Sequence, residues 1–261
     1  TLSEIKEQLD SWISEQGTGV FPNFNATAIE GTAGALVQEI DGTIIYIDSN
    51  GVALNEVLNK ALIGGLMADQ ILNNFLSSRT LDNDANVRDN DEGVLVDGKN
   101  YTAMEHSWDE AYGYLYGAEL DPSSPSYGID GLGADSFLNK HLIKINGQDE
   151  FMGIADDILN AFKLGRAAIV GKNYDVREEQ AEIIREKISI VISASAVFYL
   201  EQGIESWETD KAYSFNQISK AIGFIYSLQY TREAFSTSSP TPYFIKEEVD
   251  DYISRLLDNG F

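Results

Sequence analysis

Apolar residues recur at helical spacing along most of this chain. Leu2, Ile5, Leu9, Trp12 and Ile13 predict an amphipathic helix over 2–15, with Thr1 and Glu4 spaced as a capping box. Glycines, asparagines and Pro22 between Gly17 and Gly34 read as loop. Asp41-Gly42 then separates Leu36-Val37-Gln38-Glu39-Ile40 from Thr43-Ile44-Ile45-Tyr46-Ile47, the pattern of a small hairpin and of the one sheet expected. From Leu54 to Leu76 the apolar positions keep helical period for more than five turns, which predicts a core helix. Residues 82–93, DNDANVRDNDEG, break the pattern and read as a solvated loop. As a calcium loop they match poorly, since Val87 stands where glycine is needed and Gly93 where the bidentate acid is needed.

Prolines and glycines between Asp121 and Gly133 mark a surface connection. Phe151, Ile154, Ile158, Leu159 and Phe162 open another helix, and residues 175–203 follow as a helix that turns apolar on nearly every side from Ile188 to Leu200. That change predicts a central position. Further helices are expected over 212–230 and 246–258. The fold class is therefore all-α with a small N-terminal hairpin.

The helix after Asp97 concentrates the chemistry. On its 100° wheel Met104, Trp108, Ala111 and Leu115 form an apolar stripe, and His106, Glu110, Gly113 and Gly117 fall opposite. Two glycines on a polar face predict the close approach of another backbone there. Candidate ligand-binding residues are Glu105, His106, Trp108, Asp109, Glu110 and Tyr112, with Arg166 from a later helix. Of these His106, Asp109 and Glu110 are the candidate metal ligands, because imidazole and carboxylate suit several divalent metals and ferric iron. Thr102 and Glu105 also have capping-box spacing, which offers Glu105 a structural role. Arg166, set among small and apolar residues, is expected to pair with Glu110 or Asp109.

An internal repeat is visible. Setting HSWDEAYGYLY (106–116) over NQISKAIGFIY (216–226) matches Ala111 with Ala221, Gly113 with Gly223 and Tyr116 with Tyr226. The implied architecture is two related helical bundles, with 1–50 as an N-terminal helix, loop and hairpin, 51–145 as the first half and 146–261 as the second, in one compact unit. In the second copy Asn216 and Lys220 stand where the first has His106 and Glu110, and both join the candidate ligand-binding set.

Composition narrows the function. Forty-two acids against 18 bases give a net charge of −24, which repels phosphate backbones and makes nucleic acid an improbable partner. Without cysteine, thiolate metal sites, disulfides and Cys nucleophiles are excluded. No apolar run is long enough to span a membrane, and no signal-like start is present.

The runs YTAMEHSWDEAYGY, KALIGGLMADQILNNFL, AFKLGRAAIVGKNYD, AVFYL and GFIYSLQYTR resemble the bacterial family called domain of unknown function 4856, over roughly residues 46 to 261. That family in turn resembles the imelysin-like proteins. The resemblance implies an extracytoplasmic, two-bundle protein associated with iron acquisition, exported by a signal peptide and often anchored by a lipid on a cysteine outside this chain. It also implies a His-x-x-Glu motif, and the same spacing from His106 reaches Asp109, with Glu110 one further on. The leading expectation is an envelope binding protein, accessory to uptake of iron or another metal-bearing ligand. The alternative is an interaction lipoprotein of an outer-membrane transporter or other envelope complex, using exposed aromatics such as Trp207, Tyr213 or Tyr243. A metal-dependent hydrolase ranks below both, since H-E-x-x-H and G-x-S-x-G are absent. The sequence favours binding over catalysis.

Overall fold

A computed structural model describes residues 2–117, 121, 123, 125, 137–234 and 241–258. The expected connection at 121–133 and the Thr1 half of the first capping box lie outside the described residues. The chain forms two compact units. One is drawn from Thr1–Leu62, Ser193–Ser227 and Phe244–Phe261, and the other from Ile63–Ile192 and Leu228–Tyr243. Among the described residues the fold is predominantly helical with one two-stranded sheet, and no helix is long and apolar enough to cross a membrane.

The first unit holds α1 (Leu2–Glu15), β1 (Gly34–Val37), β2 (Ile44–Ile47) and α2 (Leu54–Leu62). The strands pair antiparallel with Val37 opposite Ile44. Asp41 closes the turn by accepting from the Thr43 amide, and Gly42 takes a positive φ of 74° that a side chain would resist. Farther on, α9 (Lys211–Ser227) lies along α2 so closely that a Cβ on Gly223 would sit 2.5 Å from the Val57 carbonyl oxygen. Ser227 donates to the Lys60 carbonyl at 2.9 Å, and Ser219 accepts from the Ala53 amide at 2.8 Å. Val20, Val52, Leu54, Val57, Ile218 and Ile222 form the core here, and Trp12 stands edge-on to Tyr226.

In the second unit the expected continuous helix to Leu76 is rewound. After α2 come π-helical segments Ile63–Ala68 and Gln70–Phe75, where one extra residue per turn shifts the phase of the apolar face. Leu66 accordingly faces water at 56% exposure. Helices α3 (Ser78–Leu81) and α4 (Asp84–Glu92) follow. The second of these corrects the loop expected over 82–93. The Asn83 side chain caps it at the Ala85 amide, and Gly93 ends it at φ 70°. What α4 buries is a polar residue: Asn90 donates to the Ile169 carbonyl and the Tyr174 hydroxyl, both at 3.0 Å, and accepts from Thr102 at 2.8 Å. One amide thus ties four segments together. The remaining helices are α5 (Ala103–Tyr116), α6 (Leu138–Asn146), α7 (Ile154–Val170) and the 33-residue α8 (Tyr174–Ser206), which contributes residues to both units. The last helix, α10 (Lys246–Leu257), belongs to the first unit.

Candidate functional site

Helix α5 begins with the capping box its sequence predicts. The Thr102 hydroxyl accepts from the Glu105 amide at 3.3 Å, and the Glu105 carboxylate accepts from the Thr102 amide at 2.7 Å. The apolar stripe is fully buried at Met104, Trp108, Ala111 and Leu115. Trp108 donates its indole N–H to the Phe162 carbonyl on α7 at 2.9 Å. Tyr112 packs beside it, its ring 5.5 Å from Phe162 and 4.5 Å from Tyr116. Trp108 and Tyr112 are therefore packing residues between α5 and α7.

Arg166 of α7 reaches back to α5 with both arms. Its Nε donates to Asp109 at 2.9 Å and its Nη1 to Glu105 at 2.8 Å. The pairing expected with Asp109 is present, and the second acid is Glu105 rather than Glu110. Glu105 thus works twice, one oxygen on the helix cap and the other on Arg166. Partial burial pushes the Asp109 carboxyl above its ordinary range, although Arg166 favours its charged form.

His106 and Glu110 make no hydrogen bond to Arg166. The imidazole is nearly parallel to Tyr101 at 4.8 Å and half exposed, with Nε2 3.5 Å from the Glu110 carboxylate. Gly113 meets nothing within 4 Å among the described residues, and Gly117 is the C-terminal cap at φ 69°. The close approach expected on this polar face occurs instead on the apolar one, where α7 presents Gly165 to Trp108. Asn216 and Lys220 belong to the other unit. There Asn216 is buried and Lys220 lies with Nζ 5.7 Å from the centroid of the Tyr199 ring.

The candidate metal ligands fit a cation poorly. Asp109 already holds a guanidinium, which would repel a metal at the same carboxylate. That leaves His106 and Glu110 as an exposed pair. No group of three or more His, Asp or Glu side chains suited to a metal occurs among the described residues. Glu105→Ala is expected to cost about 1–2 kcal/mol, because it removes a cap and a half-shielded ion pair together. Asp109→Asn, at an exposed acid, should cost roughly 0–1 kcal/mol. Urea denaturation of both variants checks the order.

The recesses of the first unit surround its hairpin. One of them, about 650 Å³, is lined by Val37, Asp48, Trp207, Asp210 and Phe215 among others. Trp207 stands edge-on to Phe215, and the Lys211 ammonium lies 5.4 Å from its centroid. A second recess of about 410 Å³ follows β2 from Thr43 to Tyr46, with Gln16, Phe21, Asn55, Glu56 and Asn216 as its other wall. Phe21, Phe24 and Tyr46 border a third, open recess of about 420 Å³. Phe21 and Phe24 were missed because their segment reads as loop, whereas Phe21–Asn23 is a short 3-10 helix. The signal that marks them is composition, since Phe21-Pro22-Asn23-Phe24 places two phenylalanines where a loop carries polar residues.

Fold and side-chain arrangement together define a mostly helical protein with a polar clamp on α5 and an open, recessed surface at its hairpin. The particular family is also clear. The chain belongs to the family described as Domain of unknown function (DUF4856), whose model matches residues 1–261. No curated protein and no solved structure matches it.

Proposed function

We propose that this chain is a non-catalytic docking protein of the cell envelope, engaging a partner protein through the hairpin face of its first unit. One observation carries the reading: large apolar side chains stand in water around the recesses flanking the hairpin. Phe21, Phe24, Val37, Ile40 and Ile44 are each more than half exposed. Apolar surface held in water costs free energy that burial against a partner recovers. Trp207, expected from the sequence as a contact aromatic, lines one of these recesses. The envelope assignment rests on the resemblance of the quoted motifs to imelysin-like proteins.

The metal-uptake reading is weaker, because Arg166 occupies one of the three carboxylate and imidazole ligands it requires. Two measurements separate the readings. Protein purified without chelator should contain no stoichiometric transition metal that His106→Ala removes; finding such a metal would overturn the proposal. A photo-crosslinking residue at Phe24, introduced in the native cells, should give a discrete adduct that Phe21→Ser and Ile44→Ser abolish. The same residue at Leu164 of the second unit, half exposed, should not. Equal adducts from both positions would sink the docking face.

A further inference from the structure

The hairpin presents one open edge. Gln38 donates to the Thr43 carbonyl at 2.9 Å, and these two residues face each other in the register that pairs Val37 with Ile44. In an antiparallel ladder, bonded and non-bonded pairs alternate. The backbone N–H and C=O of Ile44 and Tyr46 are therefore turned away from β1. The same alternation is visible on the other side of the sheet. Ala35, opposite Tyr46, donates to the Ala26 carbonyl at 2.8 Å and accepts from the Ala28 amide at 3.0 Å. The β1 edge is thus covered by residues 26–28. Among the described residues, no donor or acceptor covers Ile44 and Tyr46 on the β2 edge.

The surroundings of that edge are built like a strand-binding groove. The 410 Å³ recess runs along four consecutive residues of β2's side of the hairpin, Thr43 to Tyr46. In its far wall the Gln16 side-chain oxygen is buried with no hydrogen-bond donor. A buried acceptor left without a partner costs about 1–3 kcal/mol, and a donor entering the groove would relieve it. At the end of the groove the open recess bordered by Phe21, Phe24 and Tyr46 has room for a large apolar side chain.

Charge selects among occupants. Glu56 lines the groove, Glu15 adjoins Gln16 in sequence, and Asp41 accepts from the amide of Thr43. The Thr43 amide holds the Asp41 carboxyl below its ordinary range, so this charge persists into mild acid. Lys60, the cation nearest Glu56, is already shared with Asn59 and Glu56. A second copy of the chain would set −24 against −24. A basic segment meets no such penalty.

We infer that the outer edge of β2 accepts an extended, basic segment of a partner protein as an added strand, with one apolar side chain seated among Phe21, Phe24 and Tyr46. The inference rests on the docking reading and names its partner chemistry. Main-chain bonds to Ile44 and Tyr46 supply affinity, and the recess and acids supply selectivity.

The test uses the whole chain and a phage-displayed library of random linear peptides. Selected peptides should carry Lys or Arg beside an aromatic or large aliphatic residue. Their binding should protect the Ile44 and Tyr46 amides from hydrogen exchange. N-methylation of alternate peptide residues facing β2 should weaken binding about tenfold, the loss of one or two backbone bonds. N-methylation of the intervening residues should leave it within about threefold. Peptides that bind while protecting only the Trp207 recess would overturn strand addition and leave the docking reading standing. Concentration-dependent dimerisation that protects the same two amides would replace the partner with a second copy and overturn the inference. If no peptide is selected on any face, both readings fail.

Discussion

Trp108→Ala will lower the stability of the second unit by about 3–5 kcal/mol, the range for removing a buried aromatic side chain. The indole is 1% exposed, stands edge-on to Phe162 at 6.0 Å and donates to that residue's carbonyl. Truncation removes packing from both α5 and α7 and takes away the donor. Trp108→Phe should fall between, keeping most of the area and losing the bond. The same contact can be attacked from α7. A Cβ on Gly165 would sit 2.0 Å from Cζ2 of Trp108, and the indole cannot retreat while its N–H is bonded. Gly165→Ala should therefore destabilise, although alanine favours a helix by about 1 kcal/mol over glycine. Leu164→Ala, one residue away and half exposed, is the control. Thermal unfolding followed by circular dichroism decides. A midpoint for Trp108→Ala no lower than the control's would show that the α5–α7 contact is not a principal support.

Helical period exposed the Trp108 stripe because α5 is a regular helix with one buried face. The same logic failed where the winding or the buried chemistry differed. The extra residue per turn in Ile63–Ala68 and Gln70–Phe75 leaves an apolar pattern that still reads as α-helical, yet it turns Leu66 outward. Over 82–93 there was no apolar period to find, since the inward residue of α4 is Asn90 and its fixings are hydrogen bonds. The hairpin was legible from Asp41-Gly42 between two β-branched runs. Its open edge was not, because which strand edge stays bare depends on residues 26–28 folding back onto β1. On α5 the residue types at the candidate site were readable, but their partners were not. Glu105 and Glu110 are equivalent in composition, and only the placement of α7 gives Arg166 to the first. The two glycines that the alignment of 106–116 with 216–226 matches also differ in use. Gly223 admits the α2 backbone, while nothing described approaches Gly113.

Arg185→Ala is the second large effect expected, again about 3–5 kcal/mol, as for a buried ion pair deprived of one partner. In sequence this arginine sits in IIREKIS and reads as one charged residue of an amphipathic turn. In the fold it is 2% exposed. One nitrogen, Nη1, donates to Glu178 at 2.8 Å and to Glu182, and the other, Nη2, donates to the Leu76 carbonyl. Leu76 follows directly on the π-helical Gln70–Phe75, so the guanidinium bonds the carbonyl just past the end of that segment. The guanidinium is therefore a cap for one element and a counter-ion for another. Deleting it leaves Leu76 without that donor and sets two partly shielded carboxylates side by side. Arg185→Lys should recover only part of the loss, since an ammonium lacks the planar fork that spans both sets of acceptors. Adding Glu178→Gln and Glu182→Gln to Arg185→Ala separates charge from packing. If repulsion between the two carboxylates dominates, the triple variant should regain roughly 1–2 kcal/mol over Arg185→Ala in urea unfolding. No recovery would assign the loss to packing and the Leu76 carbonyl alone.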